Sequence, residues 1–325
     1  MRIAVLGAGA WGTALAVLAA SRGIEVALWA RRAEQAASLR AVRENLDYLP
    51  GVALPPAIRP TADPQEALQE VEFAVVAIPS KGLRATLAGL PPAPAYISAT
   101  KGLEYADGGL LRMTQVIREV TGVSRVAALS GPNHAEEIGR FLPAAAVAAS
   151  PDAALARAVQ RVFSGPSFRV YTSDDLIGVE LGGALKNGIA LAAGMSDGLR
   201  LGDNAKAALV TRGLREIVKF GLAQGAEAET FYGLSGLGDL VVTATSQHSR
   251  NRGAGEKIAR GATLAELEAS KQVVEGVYTV KALHAWGEQT GTELPITESV
   301  YRVIYEGAHP RKELSELMRR EAKPE

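Results

Sequence analysis

Short, almost unbroken apolar runs recur along the first half of the chain: Ile3–Leu6, Val26–Trp29, Phe73–Ile78, Tyr96–Ala99, Val126–Leu129 and Ala144–Ala149, with a weaker one at Phe168–Tyr171. Runs this short and this continuous predict strands buried on both faces. Between them the apolar residues take helical spacing, as at Thr13–Ser21, Asp63–Gln69 and Leu110–Val120. Alternation of the two patterns predicts βαβ units on a mostly parallel sheet, a doubly wound α/β domain. The Pro-rich stretches Leu54–Pro56 and Pro91–Pro94 read as surface loops.

The pattern changes near residue 175. Beyond it helical periodicity dominates, at Leu176–Met195, Lys206–Ala223, Leu264–Glu268, Thr279–Thr290 and Ile296–Glu306, and Asp174 or Asp175 stands where a cap would start the first of these. A length of 325 residues suits two domains. The expected division is an α/β domain over residues 1–175 and an all-α domain over residues 176–325, with the cleft between them as the default site.

Composition narrows the chemistry. With no cysteine the chain has no disulfide framework, no thiolate nucleophile and no cysteine-ligated metal, and no metal site is expected. A net charge of +0 gives no footprint for nucleic acid or an anionic membrane. No apolar stretch of roughly 18 residues runs free of charges and glycines, and the first strand starts almost at the N-terminus. The expectation is a cytoplasmic protein without a membrane-spanning segment.

The first strand runs straight into Gly7-Ala8-Gly9-Ala10-Trp11-Gly12, and a helix pattern opens after it. In this strand–turn–helix setting Gly7 permits a tight turn, Gly9 lets a pyrophosphate approach the backbone, and Gly12 lets the helix pack against the strand. The helix N-terminus offers unpaired N–H groups to phosphates. The plainer alternative is a structural turn with no ligand. The second strand ends at Trp29-Ala30-Arg31-Arg32, where an NAD site usually has a carboxylate for the ribose 2′-hydroxyl. Two arginines suit a 2′-phosphate instead, which favours NADP(H), unless the pair is simply a solvated helix start.

Three further segments are polar where the pattern predicts strand ends or an apolar helix. Thr100-Lys101-Gly102 follows one strand, and Ser130-Gly131-Pro132-Asn133-His134-Ala135 follows another. Each is either a ligand-facing turn or an ordinary polar one. Lys186 and Asn187 interrupt a helix that is otherwise apolar. Its two charged side chains, Glu180 and Lys186, lie about 120° apart around the axis and cannot serve each other. A lysine buried there must find a carboxylate or a ligand anion, or lose its proton, which makes it an acid–base candidate with a lowered pKa. The alternative is a lysine whose head reaches solvent. Farther on, Gly233-Leu234-Ser235-Gly236-Leu237-Gly238-Asp239 delivers one carboxylate in a glycine-rich loop. Ser246-Gln247-His248-Ser249-Arg250-Asn251-Arg252 is a donor cluster that suits a small phosphate, or a polar loop with surface arginines.

Together these stretches closely resemble the bacterial-type NAD(P)-dependent glycerol-3-phosphate dehydrogenases. The matching segments are GAGAWGTALA, Thr-Lys-Gly-Leu-Glu, SGPNHAEEI, GVELGGALKNGIALAAGMSDGL, GLSGLGDLVVTATSQHSRNR, VVEGVYTV and ELPITESVYRVIYEG, in family order from residue 7 to residue 307. The resemblance implies a Rossmann domain followed by a helical domain, with the active site between them. It also implies reversible reduction of dihydroxyacetone phosphate to sn-glycerol 3-phosphate, the backbone of glycerophospholipids. Lys186 then matches the catalytic lysine, with Asp239 and Lys101 beside it in the catalytic set. Lys101, Gly131, Asn133, Lys186, Asp239, Ser249, Arg250 and Asn251 match substrate-binding positions. Gly7, Gly9, Ala10, Trp11, Gly12, Arg31, Arg32, Tyr48, Lys101, Ala135, Arg250, Val273 and Glu275 match positions that hold NADP(H), with NAD(H) as a second cofactor. The partner is a small phosphorylated substrate rather than nucleic acid, and monomer against homodimer stays open.

The chain departs from the family at Ala10, where many members carry serine, at Asn133-His134, where Ser-Phe is more usual, and at Ala244, a frequent cysteine. Two competing readings are a related reductase of β-hydroxy or α-keto acids and an idle NADP(H)-binding regulator. The Ser249-Arg250-Asn251 cluster argues against the first. The presence of both Lys186 and Asp239 argues against the second.

Overall fold

The computed structural model describes residues 1–269 and 273–321. The chain forms two units, Met1–Lys101 with Arg112–Glu180, and Gly102–Leu111 with Leu181–Glu325. The division at Glu180 falls inside the helix Leu176–Gly198, whose first residue was the expected boundary. Nothing in the hydrophobic pattern marks the excursion of Gly102–Leu111 into the second unit.

The first unit is built on one eight-stranded sheet. Its strands are β1 Arg2–Leu6, β2 Glu25–Trp29, β3 Ile58–Thr61, β4 Ala74–Val76, β5 Tyr96–Ser98, β6 Val126–Ser130, β7 Ala144–Ala149 and β8 Phe168–Ser173. They lie in the order β8-β7-β6-β5-β4-β1-β2-β3. All neighbours from β3 to β6 are parallel, as are β7 and β8, while β7 runs antiparallel to β6. The order reverses at β1, so the loop after β1 opens at the switch point where doubly wound sheets bind their ligands.

The sequence pattern missed β3. Its Pro60 weakens the strand signal, yet it is tolerated because β3 is an edge strand and needs no N–H on its outer side. The helix Ala10–Ala20 is buried on every residue from Gly12 to Ala20, so it shows no amphipathic stripe, and it packs between the sheet and the helices Ala135–Ile138 and Ala153–Phe163. A small hairpin, Glu44–Asn45 with Leu49–Ala53, has a register break between Glu44 and Asn45.

At the end of the first unit, Asp175 caps the long helix Leu176–Gly198 by accepting from the Gly178 N–H at 2.8 Å. By length and composition this helix could cross a membrane, but 89% of its most apolar stretch is buried. Its glycines explain how. A Cβ on Gly194 would sit 1.9 Å from the Arg252 carbonyl oxygen, one on Gly255 would sit 2.0 Å from that of Leu191, and one on Gly182 would sit 2.7 Å from that of Ser235. Backbones therefore meet directly where the helices Arg250–Ala259 and Glu275–Thr290 and the loop 233–238 close over the long helix. Glu216, on the helix Asp203–Ala223, is buried and accepts from Ile296 N (2.8 Å), Thr297 N (3.1 Å) and Thr297 Oγ1 (2.7 Å), capping the helix Pro295–Tyr305. Burial pushes its carboxyl above the ordinary range.

Candidate active site

The polar segments singled out in the sequence gather into two groups, one in each unit. In the first unit the turn Gly7–Gly12 leaves the carboxyl end of β1. Gly7 has φ +113°, and a Cβ there would lie 2.6 Å from the Ala77 carbonyl oxygen. A Cβ on Gly12 would lie 1.9 Å from the oxygen of Gly7, so only glycine lets the helix start here. By contrast, a Cβ on Gly9 would meet nothing within 4 Å. The backbone is open at Gly9 and closed at its two companions, which fits a pyrophosphate lying over Gly9, Ala10 and Trp11. Trp11 also carries a buried Nε1 with no hydrogen-bond partner. Arg31 and Arg32 are exposed after β2, and Arg32 Nη2 reaches the Tyr48 hydroxyl at 3.5 Å.

Two segments that are far apart in sequence are joined at the ends of the neighbouring strands β5 and β6. The ammonium group of Lys101 donates to the Gly131 carbonyl oxygen at 2.8 Å. Gly131 has φ +153°, and a Cβ there would lie 2.8 Å from the Ala145 oxygen. Asn133 donates from Nδ2 to that same oxygen at 3.1 Å, while its Oδ1 is buried without a partner, as is the hydroxyl of Ser130. Ala135 is buried at the start of the helix Ala135–Ile138. Unpartnered buried polar atoms cost free energy unless something meets them, and here they cluster in two of the segments expected to hold ligand.

In the second unit, Lys186 Nζ lies 2.9 Å from Asp239 Oδ1 and 2.6 Å from Thr243 Oγ1. The Lys186 and Asp239 side chains are only 7% and 2% exposed, so the lysine is not one that snorkels to solvent. Asp239 follows a widened turn over Leu234–Gly238, in which the Gly238 N–H reaches the Gly233 oxygen at 3.0 Å. The Thr243 hydroxyl donates to the Asp239 carbonyl oxygen at 2.6 Å. Glu180 turns elsewhere, as the 120° offset predicts: it takes Arg112 Nη1 at 2.5 Å and both the N–H and hydroxyl of Thr114.

Asn251 Nδ2 donates to Asn187 Oδ1 at 2.8 Å, and Asn251 Oδ1 accepts from the Gly276 N–H at 2.9 Å. This links three sequence segments, since Asn187 adjoins Lys186, Asn251 adjoins Arg250 and Gly276 adjoins Glu275. Ser249 is buried and caps the helix Arg250–Ala259 through the Arg252 N–H, leaving Arg250 exposed in the first turn. Arg252 is taken up by Asp197 at 2.6 Å. Val273 and Glu275 are half-buried at the start of the helix Glu275–Thr290. Sequence reasoning gave no role to Thr243, Asn187 or Asn45. Thr243 had a usable signal, since it lies one helical turn after Asp239 and therefore on the same face.

Models of the NAD-dependent glycerol-3-phosphate dehydrogenase N-terminus and C-terminus match residues 2–156 and 175–315. A glycerol-3-phosphate dehydrogenase (NAD(P)+) of Thermus thermophilus is 63% identical over 325 residues, covering 100% of both chains. The chain belongs to the NAD-dependent glycerol-3-phosphate dehydrogenase family. A second relative of the same name, from Deinococcus radiodurans, is 55% identical over 99% of this chain and 96% of its own. The crystal structure of the family member from Coxiella burnetii superposes with a TM-score of 0.93 at 36% identity, over 98% of this chain and 99% of that one. Family membership carries the NAD(P)-dependent oxidoreductase class with it, and the open turn at Gly9 suits the dinucleotide.

Proposed function

We propose that this chain catalyses the reversible reduction of dihydroxyacetone phosphate to sn-glycerol 3-phosphate, with Lys186 as the acid that protonates the nascent alkoxide. The observation that carries the reading is the buried contact of Lys186 with Asp239. When bound, the reduced nicotinamide supplies the hydride to the carbonyl carbon. The carbonyl oxygen gains negative charge as that bond forms, and a cation able to give up a proton stabilises it most. Lys186 has both properties. Burial disfavours its charge, while Asp239 restores it and Thr243 fixes the direction of the ammonium group. In the reverse direction the same amine, deprotonated, accepts the hydroxyl proton.

Arg250, exposed at the N-terminus of its helix, is the phosphate ligand in this reading. A guanidinium can grip phosphate through two parallel bonds, and the N–H groups of the first helical turn add to it. Lys101 and the Gly131–Asn133 turn complete the substrate contacts. The glycine turn, Trp11, Tyr48, Ala135, Val273 and Glu275 hold the cofactor, and Arg31 and Arg32 meet its 2′-phosphate. The product's role as glycerophospholipid backbone, and a cytoplasmic place for an enzyme whose substrate is a doubly charged phosphate, extend the same reading.

The test follows nicotinamide absorbance with dihydroxyacetone phosphate and with unphosphorylated dihydroxyacetone. Turnover is expected with the first and nearly none with the second. Equal turnover of both would remove the phosphate site from the account.

A further inference from the structure

We infer that Asn45 and Gln35 are positioning residues for cofactor binding: they clamp the carbonyl of Ala8 and thereby aim the Gly9 N–H at the pyrophosphate. The inference rests on the dinucleotide reading of the glycine turn. Asn45 Nδ2 donates to the Ala8 carbonyl oxygen at 3.0 Å and to Thr13 Oγ1 at 2.7 Å. Gln35 Nε2 donates to the same Ala8 oxygen at 2.7 Å. One carbonyl in the middle of G-x-G thus takes two side-chain amides, from segments 27 and 37 residues away in sequence.

Peptide geometry gives this its consequence. In a planar trans peptide the C=O and the following N–H point in opposite directions, and the chain has no cis peptide bond among the described residues. Tying the Ala8 oxygen inward turns the Gly9 N–H outward. The backbone is open at this residue, since a Cβ on Gly9 would meet nothing within 4 Å. A glycine-flanked peptide is otherwise free to rotate as a unit, so without the clamp the first donor of the anion cradle would be averaged over directions. Asn45 also ties the turn to Thr13, in the first turn of the helix, so the turn and the helix N-terminus move together. The register break after Glu44 accompanies this placement, with Asn45 only 3% exposed.

Nothing in the glycine motif announces this clamp. The residues are a polar pair in unremarkable stretches, and only the fold brings them to one oxygen. Their contribution is expected in cofactor affinity, because the clamp preorganises the turn and touches no reacting atom.

The test is direct NADPH binding by titration calorimetry on the full chain, for the parent, Asn45→Ala and Gln35→Ala, with thermal melting of each in the absence of cofactor. Loss of one or two neutral hydrogen bonds predicts a Kd for NADPH weaker by about tenfold in each variant. The KM for dihydroxyacetone phosphate at saturating NADPH should move far less than the Kd. A merely structural role would lower the melting temperature and raise both constants together. Should Asn45→Ala fail to fold, Gln35→Ala, which alters a half-buried side chain, decides: parental NADPH affinity in a folded variant overturns the proposal, and weakened affinity at parental melting temperature supports it. A parent that does not bind NADPH would instead sink the dinucleotide reading beneath it.

Discussion

Lys186 and Asp239 stand 53 residues apart in sequence and 2.9 Å apart in space, both buried. The lysine comes from an apolar helix and the carboxylate from a glycine-rich turn, and neither segment alone says that they meet. Removing either partner leaves the other as an uncompensated buried charge. Lys186→Met, of similar length without charge, should lower kcat by at least about a hundredfold, the lower bound for a lost general acid, with NADPH affinity near parental. Arginine should not restore it, since a guanidinium keeps its proton. Stopped-flow and steady-state rates measure this, and retention of more than about a tenth of parental kcat would move the proton to Lys101 or to water.

Arg250→Ala should raise the KM for dihydroxyacetone phosphate by one to two decades, roughly, from the loss of a charged hydrogen bond of about 1.5–3 kcal/mol. The weak turnover of unphosphorylated dihydroxyacetone should hardly change. Parallel losses on both substrates would assign Arg250 to the cofactor or to the fold.

Arg31 and Arg32 are exposed. Replacing both with serine should raise the KM for NADPH far more than that for NADH, because only NADPH carries the 2′-phosphate. Equal effects on the two cofactors would refute that assignment.

Glu216 links stability to pH. Its folded-state pKa is raised by burial, so between the ordinary carboxylate range and that raised value the folded chain binds more protons than the unfolded one. Its contribution is therefore fully present at low pH and is lost as pH rises through this window. Urea midpoints of the parent and Glu216→Gln, measured from pH 4 to pH 8, should shift relative to each other in favour of glutamine with rising pH. The reverse trend would mean that the three hydrogen bonds to Ile296 and Thr297 outweigh desolvation.

Much of the fold was readable from periodicity because its strands are buried on both faces and its helices are long. β3 was lost to Pro60, and the reversal of β7 against β6 was invisible because strand direction leaves no trace in apolar spacing. The excursion of Gly102–Leu111 went unseen for another reason: its paired strands, Leu103–Ala106 and Gly109–Arg112, are short and mostly half-buried. At the site, Lys186 stood out because charge in an apolar helix is costly. Asn45 did not, because a buried amide looks like any loop asparagine until its two partners are known. Asn251 stands in the sequence as a candidate phosphate donor, and the fold adds a task that its segment does not announce, since its amide also joins Asn187 to the Gly276 N–H.

The long helix Leu176–Gly198 also has a history on the ribosome. The side chains that cover Leu191 and Met195 come from as far along the chain as Val300 and Val303. During synthesis this segment therefore emerges with the hydrophobicity of a membrane span and is not fully covered until more than a hundred further residues have followed. For that interval it is a ready client for chaperones or for the insertion machinery. The charges that it carries, at Glu180, Lys186 and Asp197, are then what distinguishes it from a true span before its partners arrive.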